Sequence, residues 1–103
     1  MPITRMWRGW TTEDAADDYE HFLLQELFPS MRSIDGFLGA DVLRRADADE
    51  VAFVTLTRFR SITDVRDFAG DAFEVPVIEP RAAELLAHYD DRAVHYETVH
   101  FEM

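Results

Sequence analysis

At 103 residues the chain has room for a single domain spanning residues 1–103, and its 48% hydrophobic and 13% aromatic content excludes a disordered polypeptide. The absence of cysteine excludes disulfides, thiolate metal sites and a cysteine nucleophile; the absence of lysine excludes a lysine Schiff base and a P-loop lysine, so that every cationic side chain is an arginine. A formal net charge of −11 and a sequence pI near 4.5 set the chain against phosphate backbones and anionic headgroups, so neither nucleic acid nor a membrane is an expected partner.

Residues Ile3 to Trp10 read as a strand with Ile3, Arg5 and Trp7 on one side and Thr4, Met6, Arg8 and Trp10 on the other. Thr11 followed by Asp14 resembles a capping box, and Ala16, Tyr19, Leu23, Leu27 and Met31 recur at helical spacing, which predicts a long helix to about Arg32. A turn at IDGFLG leads into a strand from about Phe37 to Arg45, and DADE turns the chain into an antiparallel partner from Val51 to Arg60. Ser61 and Asp64 cap a short second helix ending at Gly70, and Pro80 opens a third through Ala83, Leu86 and as far as His88. RAVHYETVHFE alternates as a last strand. The order strand, helix, strand, strand, helix, strand is the α+β, ferredoxin-like split βαβ pattern, with helices on one face of a four-stranded antiparallel sheet.

In such a sheet the helix-free face ordinarily reads polar. Here the third strand has Val51, Phe53 and Phe59 on one side and Ala52, Val54 and Leu56 on the other, and the first strand offers a Trp to each side. Two apolar faces predict a homodimer packed sheet to sheet, since exposed apolar area costs about 25 cal/mol per Å². With no apolar run of signal-peptide or membrane-span length, the chain is expected to be cytoplasmic.

The segments MWRGWT, GFLGADVLRR, VTLTRF and RAVHYE, together with the long first helix, resemble the antibiotic biosynthesis monooxygenase family of dimeric α+β barrels, with WRGW and HYE as signatures of a bacterial branch. The resemblance covers nearly the whole chain. It implies a homodimer, a pocket between sheet and helices in each subunit, and oxidation of a phenolic or polyketide-like small molecule by dioxygen without metal or flavin. The haem-degrading branch of similar fold uses Asn, Trp and His, and this chain has no Asn. The quinone-forming branch also relies on Asn and Trp, and here the second helix carries Phe68 in place of a Trp. The family's mechanism therefore does not carry over residue by residue.

His95 and Glu97, two apart on the last strand, leave one face roughly 6.5 to 7 Å apart. A His oriented by a carboxylate is a general base with a pKa near neutral, suited to taking a phenol or α-carbonyl proton. The same pair serves equally as a structural contact, hydrogen-bonded across an interface or ion-paired with an Arg. Trp7 and Phe68 are candidates to line a substrate pocket, with Arg8 and Arg58 as counter-ions to an enolate; the competing assignments are core packing for the aromatics and ion pairs with the plentiful acids for the arginines. His21, His88 and His100 are isolated, no metal-ligand spacing occurs, and no metal or other cofactor is expected. The leading expectation is a cofactor-independent monooxygenase; a cofactor-free isomerase, cyclase or lyase, and a non-catalytic small-ligand-binding homodimer, are the alternatives.

Overall fold

The first strand, β1 (Ile3–Thr12), is the spine of the fold. In the computed structural model, which describes residues 1–103, its alternation sorts the whole sheet: Arg5, Gly9 and Thr11 are buried under the helices, while Arg8 and Thr12 face the other way and are exposed. Strand β3 (Glu50–Phe59) runs antiparallel to β1 from Ile3↔Phe59 to Thr12↔Glu50 and buries Val51, Phe53, Thr57 and Phe59 on the same side. Strand β2 (Phe37–Asp47) extends the sheet from β3, closing a hairpin at Asp47↔Glu50 over the two-residue loop Ala48–Asp49. DADE therefore turns the chain as its composition predicts. Ala48 takes a left-handed φ of 55°, as tight hairpins demand of a loop residue.

The helices lie on one face. The first helical run comprises α1 (Ala16–Phe22), a π turn at Leu23–Leu27, α2 (Phe28–Ser30) and a 3₁₀ turn at Met31–Ser33. The interruption has a local cause. Pro29 has no N–H to offer the carbonyl four residues back and its ring would clash there, so the helix widens ahead of it, and the Phe28 N–H bonds the Leu23 carbonyl, five residues back. The cap also differs from the expected box: Thr12, not Thr11, receives the Ala15 N–H, at 3.3 Å, and Thr11 remains in β1 with a buried hydroxyl that has no partner.

Helix α3 (Ile62–Ala69) follows the sequence expectation, with the Ser61 hydroxyl accepting the Asp64 N–H at 3.4 Å and Gly70 ending it at φ 83°. The expected third helix is corrected. Helix α4 (Pro80–Leu85) stops before Leu86, and Leu86–Tyr89 forms strand β4, pairing Leu86 with Thr11 and His88 with Trp10. The reason lies in packing: a Cβ on Gly9 would stand 2.8 Å from Leu86 Cδ2, so the glycine is the notch that seats this buried leucine against the sheet. The last strand, β5 (Val94–Glu97), pairs with Ile3 to Met6 at the opposite end of the same edge.

The sheet is thus five-stranded rather than four-stranded, in the order β2-β3-β1 with β4 and β5 sharing the second edge of β1. The order is still that of the split βαβ pattern, its fourth position filled by two short strands. One core cluster joins Tyr19, Phe22, Leu23, Phe53 and Leu86, and a second joins Met31, Phe59 and Val65. No helix is long and apolar enough to cross a membrane.

Ala48 carries a strain that glycine would not feel. Ala48→Gly is expected to raise stability by about 1 kcal/mol, and Ala48→Val to lower it by at least as much, both read from chemical denaturation midpoints.

Candidate functional site

Between the helix-covered face of the sheet and the helices lies a cavity of about 40 Å³, lined by Arg5, Trp7, Tyr19, Leu27, Phe28 and Phe68 among others. Its floor is the inward side of β1 and β3, including Thr55 and Thr57. Its roof is the first helical run and α3, and one wall comes from the irregular stretch before α4 through Pro76, Val77 and Glu79. The free space admits little more than one or two waters.

Arg5 dominates its electrostatics. The alternation of β1 carries this side chain inward between Ile3 and Trp7, leaving it only 5% exposed. Nη1 donates to the Phe73 carbonyl and to His95 Nε2 at 2.9 Å, and Nη2 donates to the Val75 carbonyl at 3.3 Å. None of these partners is anionic, and no carboxylate pairs with it. Burial lowers its pKa to about 10, which still leaves the guanidinium charged at neutral pH. Phe68 lies against it, with the ring centroid 5.6 Å from the guanidinium carbon.

Tyr19 is the second polar group of the cavity. It projects from α1, is 1% exposed and packs edge-on against Phe53 at 4.9 Å. Burial alone pushes its phenol pKa well above the usual value, so it stays protonated, and its hydroxyl makes no hydrogen bond within the chain.

His95 stands behind Arg5 and outside the cavity lining, edge-on to Phe73 at 5.0 Å. Because Nε2 accepts from a guanidinium that can only donate, the ring is neutral, with its proton on Nδ1. Its pKa lies below the ordinary value, first because burial strips water from the imidazolium, then because Arg5 carries like charge; Glu74 opposes both. Glu97 shares the strand face of His95, but it is exposed and makes no hydrogen bond to the ring, which turns toward Arg5 instead.

The remaining candidates separate by face. Trp7 and Phe68 line the cavity, and Trp7 Nε1 donates to the Asp90 carbonyl at 2.7 Å. Arg8 and Arg58 lie on the helix-free side and do not reach it. Arg8 forms a two-point pair with Asp90 at 2.7 and 3.3 Å, and Arg58 pairs with Asp41. They do not meet, since Arg8 is opposite Val54 and Arg58 opposite Thr4, four residues apart along β1. Arg8 does border a shallow hollow of about 400 Å³ on that side, with Trp10, Leu43, Arg45, Asp47 and Val54. Arg5 and Tyr19 are the groups that sequence reasoning passed over. The signal was present: each is a polar-tipped residue at a position whose neighbours in register, Ile3 and Trp7 or Ala16 and Leu23, are apolar.

No protein-family model matches the chain, and no curated protein matches it. Solved structures do. A protein from Nitrosomonas europaea assigned by name to the antibiotic biosynthesis monooxygenases superposes with a TM-score of 0.70 at 14% identity, covering 95% of this chain and 90% of that one. SnoaB, a cofactor-independent oxygenase from Streptomyces nogalater, gives 0.64 at 19% identity over 97% and 95% of the two chains. A monooxygenase from the gene ActVA-Orf6 of Streptomyces coelicolor, solved with the ligand nanaomycin D, gives 0.58 at 16% identity over 99% and 90%. What these proteins share with the chain is the path of the backbone from end to end, and on that ground it has the ferredoxin-like α+β fold of the antibiotic biosynthesis monooxygenases.

Proposed function

We propose that the chain is a cofactor-independent monooxygenase of the antibiotic biosynthesis monooxygenase family, a homodimer that oxidises a small aromatic or polyketide-like molecule with dioxygen. The observation that carries this reading is a mainly apolar cavity beside a neutral imidazole and a buried cation with no anionic partner. In this reading a substrate hydroxyl displaces Arg5 from His95 Nε2 and gives its proton to that nitrogen, while the guanidinium turns to the resulting oxyanion. The electron-rich anion passes one electron to dioxygen. Recombination of the radical pair adds one oxygen atom to carbon, and the other leaves as water with the two hydrogens the substrate has lost. Trp7 and Phe68 hold the flat body of the substrate. Glu97, being exposed, acts at most at long range on His95, and the opposite face of the sheet leaves Arg8 and Arg58 no direct part.

The helix-free face supports the homodimer. Leu43, Val94 and Tyr96 are about half exposed there, next to Met6, Val54 and Leu56, a contiguous apolar surface of the kind that monomers rarely leave open.

With a hydroxylated naphthalene or anthracene substrate, oxygen uptake at an electrode is expected to match product formed one to one, and His95→Gln to lower kcat by 10²-fold or more. Full turnover without oxygen consumption would exclude the oxygenase. Leu43→Asp combined with Tyr96→Asp is expected to convert a dimer to a monomer in sedimentation velocity; a wild-type chain already monomeric and folded at micromolar concentration would overturn the assembly.

A pH dependence follows from His95. The unfolded chain binds this proton more readily than the folded one, so stability is expected to fall as pH drops below about 6.5 and to level off once the folded imidazole is also protonated. The difference between wild type and His95→Gln in denaturation midpoints across pH 4.5 to 8 isolates this contribution from that of the carboxylates.

A further inference from the structure

We infer that Arg5 and Tyr19 form an anion-anchoring subsite, and that the ligand this cavity takes carries a carboxylate on an apolar body. The inference rests on reading the cavity as a ligand pocket, but not on the oxygen chemistry proposed for it.

A guanidinium has five N–H donors. Arg5 uses both hydrogens of Nη1 on the Phe73 carbonyl and His95, and one of Nη2 on the Val75 carbonyl. Nε–H and the second Nη2–H are left, two donors on neighbouring nitrogens, and this is the combination that meets the two oxygens of a carboxylate as a fork. A buried charge without a counter-ion is ordinarily compensated, and the chain, with 21 acidic residues, places none of them on this one. By contrast, six of the other arginines do meet a carboxylate: Arg8, Arg44, Arg58, Arg60, Arg81 and Arg92 in ion pairs within 4 Å, and Arg44 with two.

Tyr19 adds an independent observation. Tyr19 lines the same cavity, and its hydroxyl has no partner within the chain, which leaves its O–H free to donate to an acceptor that enters. Held protonated by its surroundings, it can only help an acceptor. Around these two groups Trp7, Phe22, Leu27, Phe28, Met31 and Phe68 make most of the lining, with Thr55 and Thr57 on the floor and Glu79 as its one acid, which favours a mainly apolar body held at its charged end by Arg5. The present 40 Å³ cannot admit a ring, so entry requires the wall to yield. The wall contributed by Pro76 and Val77 belongs to the stretch between α3 and α4 that has neither helix nor strand, so displacing it breaks the Arg5 contacts to Phe73 and Val75 but no helix or strand ladder.

The test uses the full-length protein with benzoate, its neutral isostere benzamide, and acetate, an anion with almost no apolar body. Titration calorimetry at pH 7 is expected to show benzoate binding at least tenfold more tightly than either of the others. Arg5→Lys keeps the charge but loses the fork and is expected to weaken benzoate at least tenfold, and Tyr19→Phe about fivefold to tenfold, with the fold of each checked by circular dichroism. Benzoate should also shift one Arg Nε–H resonance in a nitrogen-edited NMR spectrum, and that resonance should be missing from Arg5→Lys. If Arg5→Lys does not fold, Tyr19→Phe and the Nε–H shift decide. Equal affinity for benzoate and benzamide, equal affinity for benzoate and acetate, or an affinity for benzoate untouched by Tyr19→Phe with no Nε–H shift would each overturn the subsite. Benzoate binding as described, in a protein that consumes no oxygen with any substrate, would sink the oxygenase and leave the subsite standing.

Discussion

A guanidinium buried without a counter-ion is the feature around which this fold is arranged. The period of two in β1 forces it: with Trp7, Gly9 and Thr11 committed to the helix-covered side, Arg5 has to go inward too. Once inside, its cost in lost hydration is met by neutral acceptors alone, two carbonyls from the irregular stretch before α4 and the imidazole of β5. Arg5 therefore ties three separate parts of the chain together, the central strand, the terminal strand and the cavity wall. It also keeps His95 neutral, because an imidazolium could neither accept its N–H nor sit comfortably beside its charge.

That arrangement divides the molecule by chemistry as well as by geometry. On the helix-covered side Arg5 and Tyr19 in the cavity, and the Thr11 hydroxyl outside it, are buried without a partner of opposite charge, whereas the buried Asp64 is paired with Arg60. On the helix-free side the charges are numerous and matched, with Arg8 on Asp90, Arg58 on Asp41 and His88 on Glu50. Matched pairs in water contribute little and ask for nothing further. Unmatched groups in a mainly apolar cavity are where a ligand has something to gain, which is why the functional reading moves from Arg8 and Arg58 to Arg5.

Much of this was legible from residues alone. The alternation of β1 and β3, the hairpin at DADE and the Ser61–Asp64–Gly70 frame of α3 depend on local rules, and they stand in the structure at nearly the residues those rules indicate. Elements set by distant contacts were not legible. Leu86 and His88 continue a helical spacing, yet the notch at Gly9, nearly eighty residues away, draws Leu86 into a strand. The site divides the same way. Strand periodicity separates Trp7 from Arg8 correctly, but it does not say which side the helices cover, and without that an inward Arg and an outward Arg look alike. The direction in which the His95 ring turns depended on Arg5, so its partnership with Glu97 could not be judged from their spacing on β5.

The divided edge of β1 has a mechanical consequence. Because β4 clasps only Gly9 to Thr11 and β5 only Ile3 to Met6, the two halves of that edge can come undone one at a time. The join falls at Trp7 and Arg8, where the Asp90 N–H caps the Arg8 carbonyl and the Asp90 carbonyl receives the Trp7 indole. A single long strand would have to peel as a unit; this edge can instead hinge at one aspartate, loosening the half that carries His95 while the half that seats Leu86 keeps the core shut.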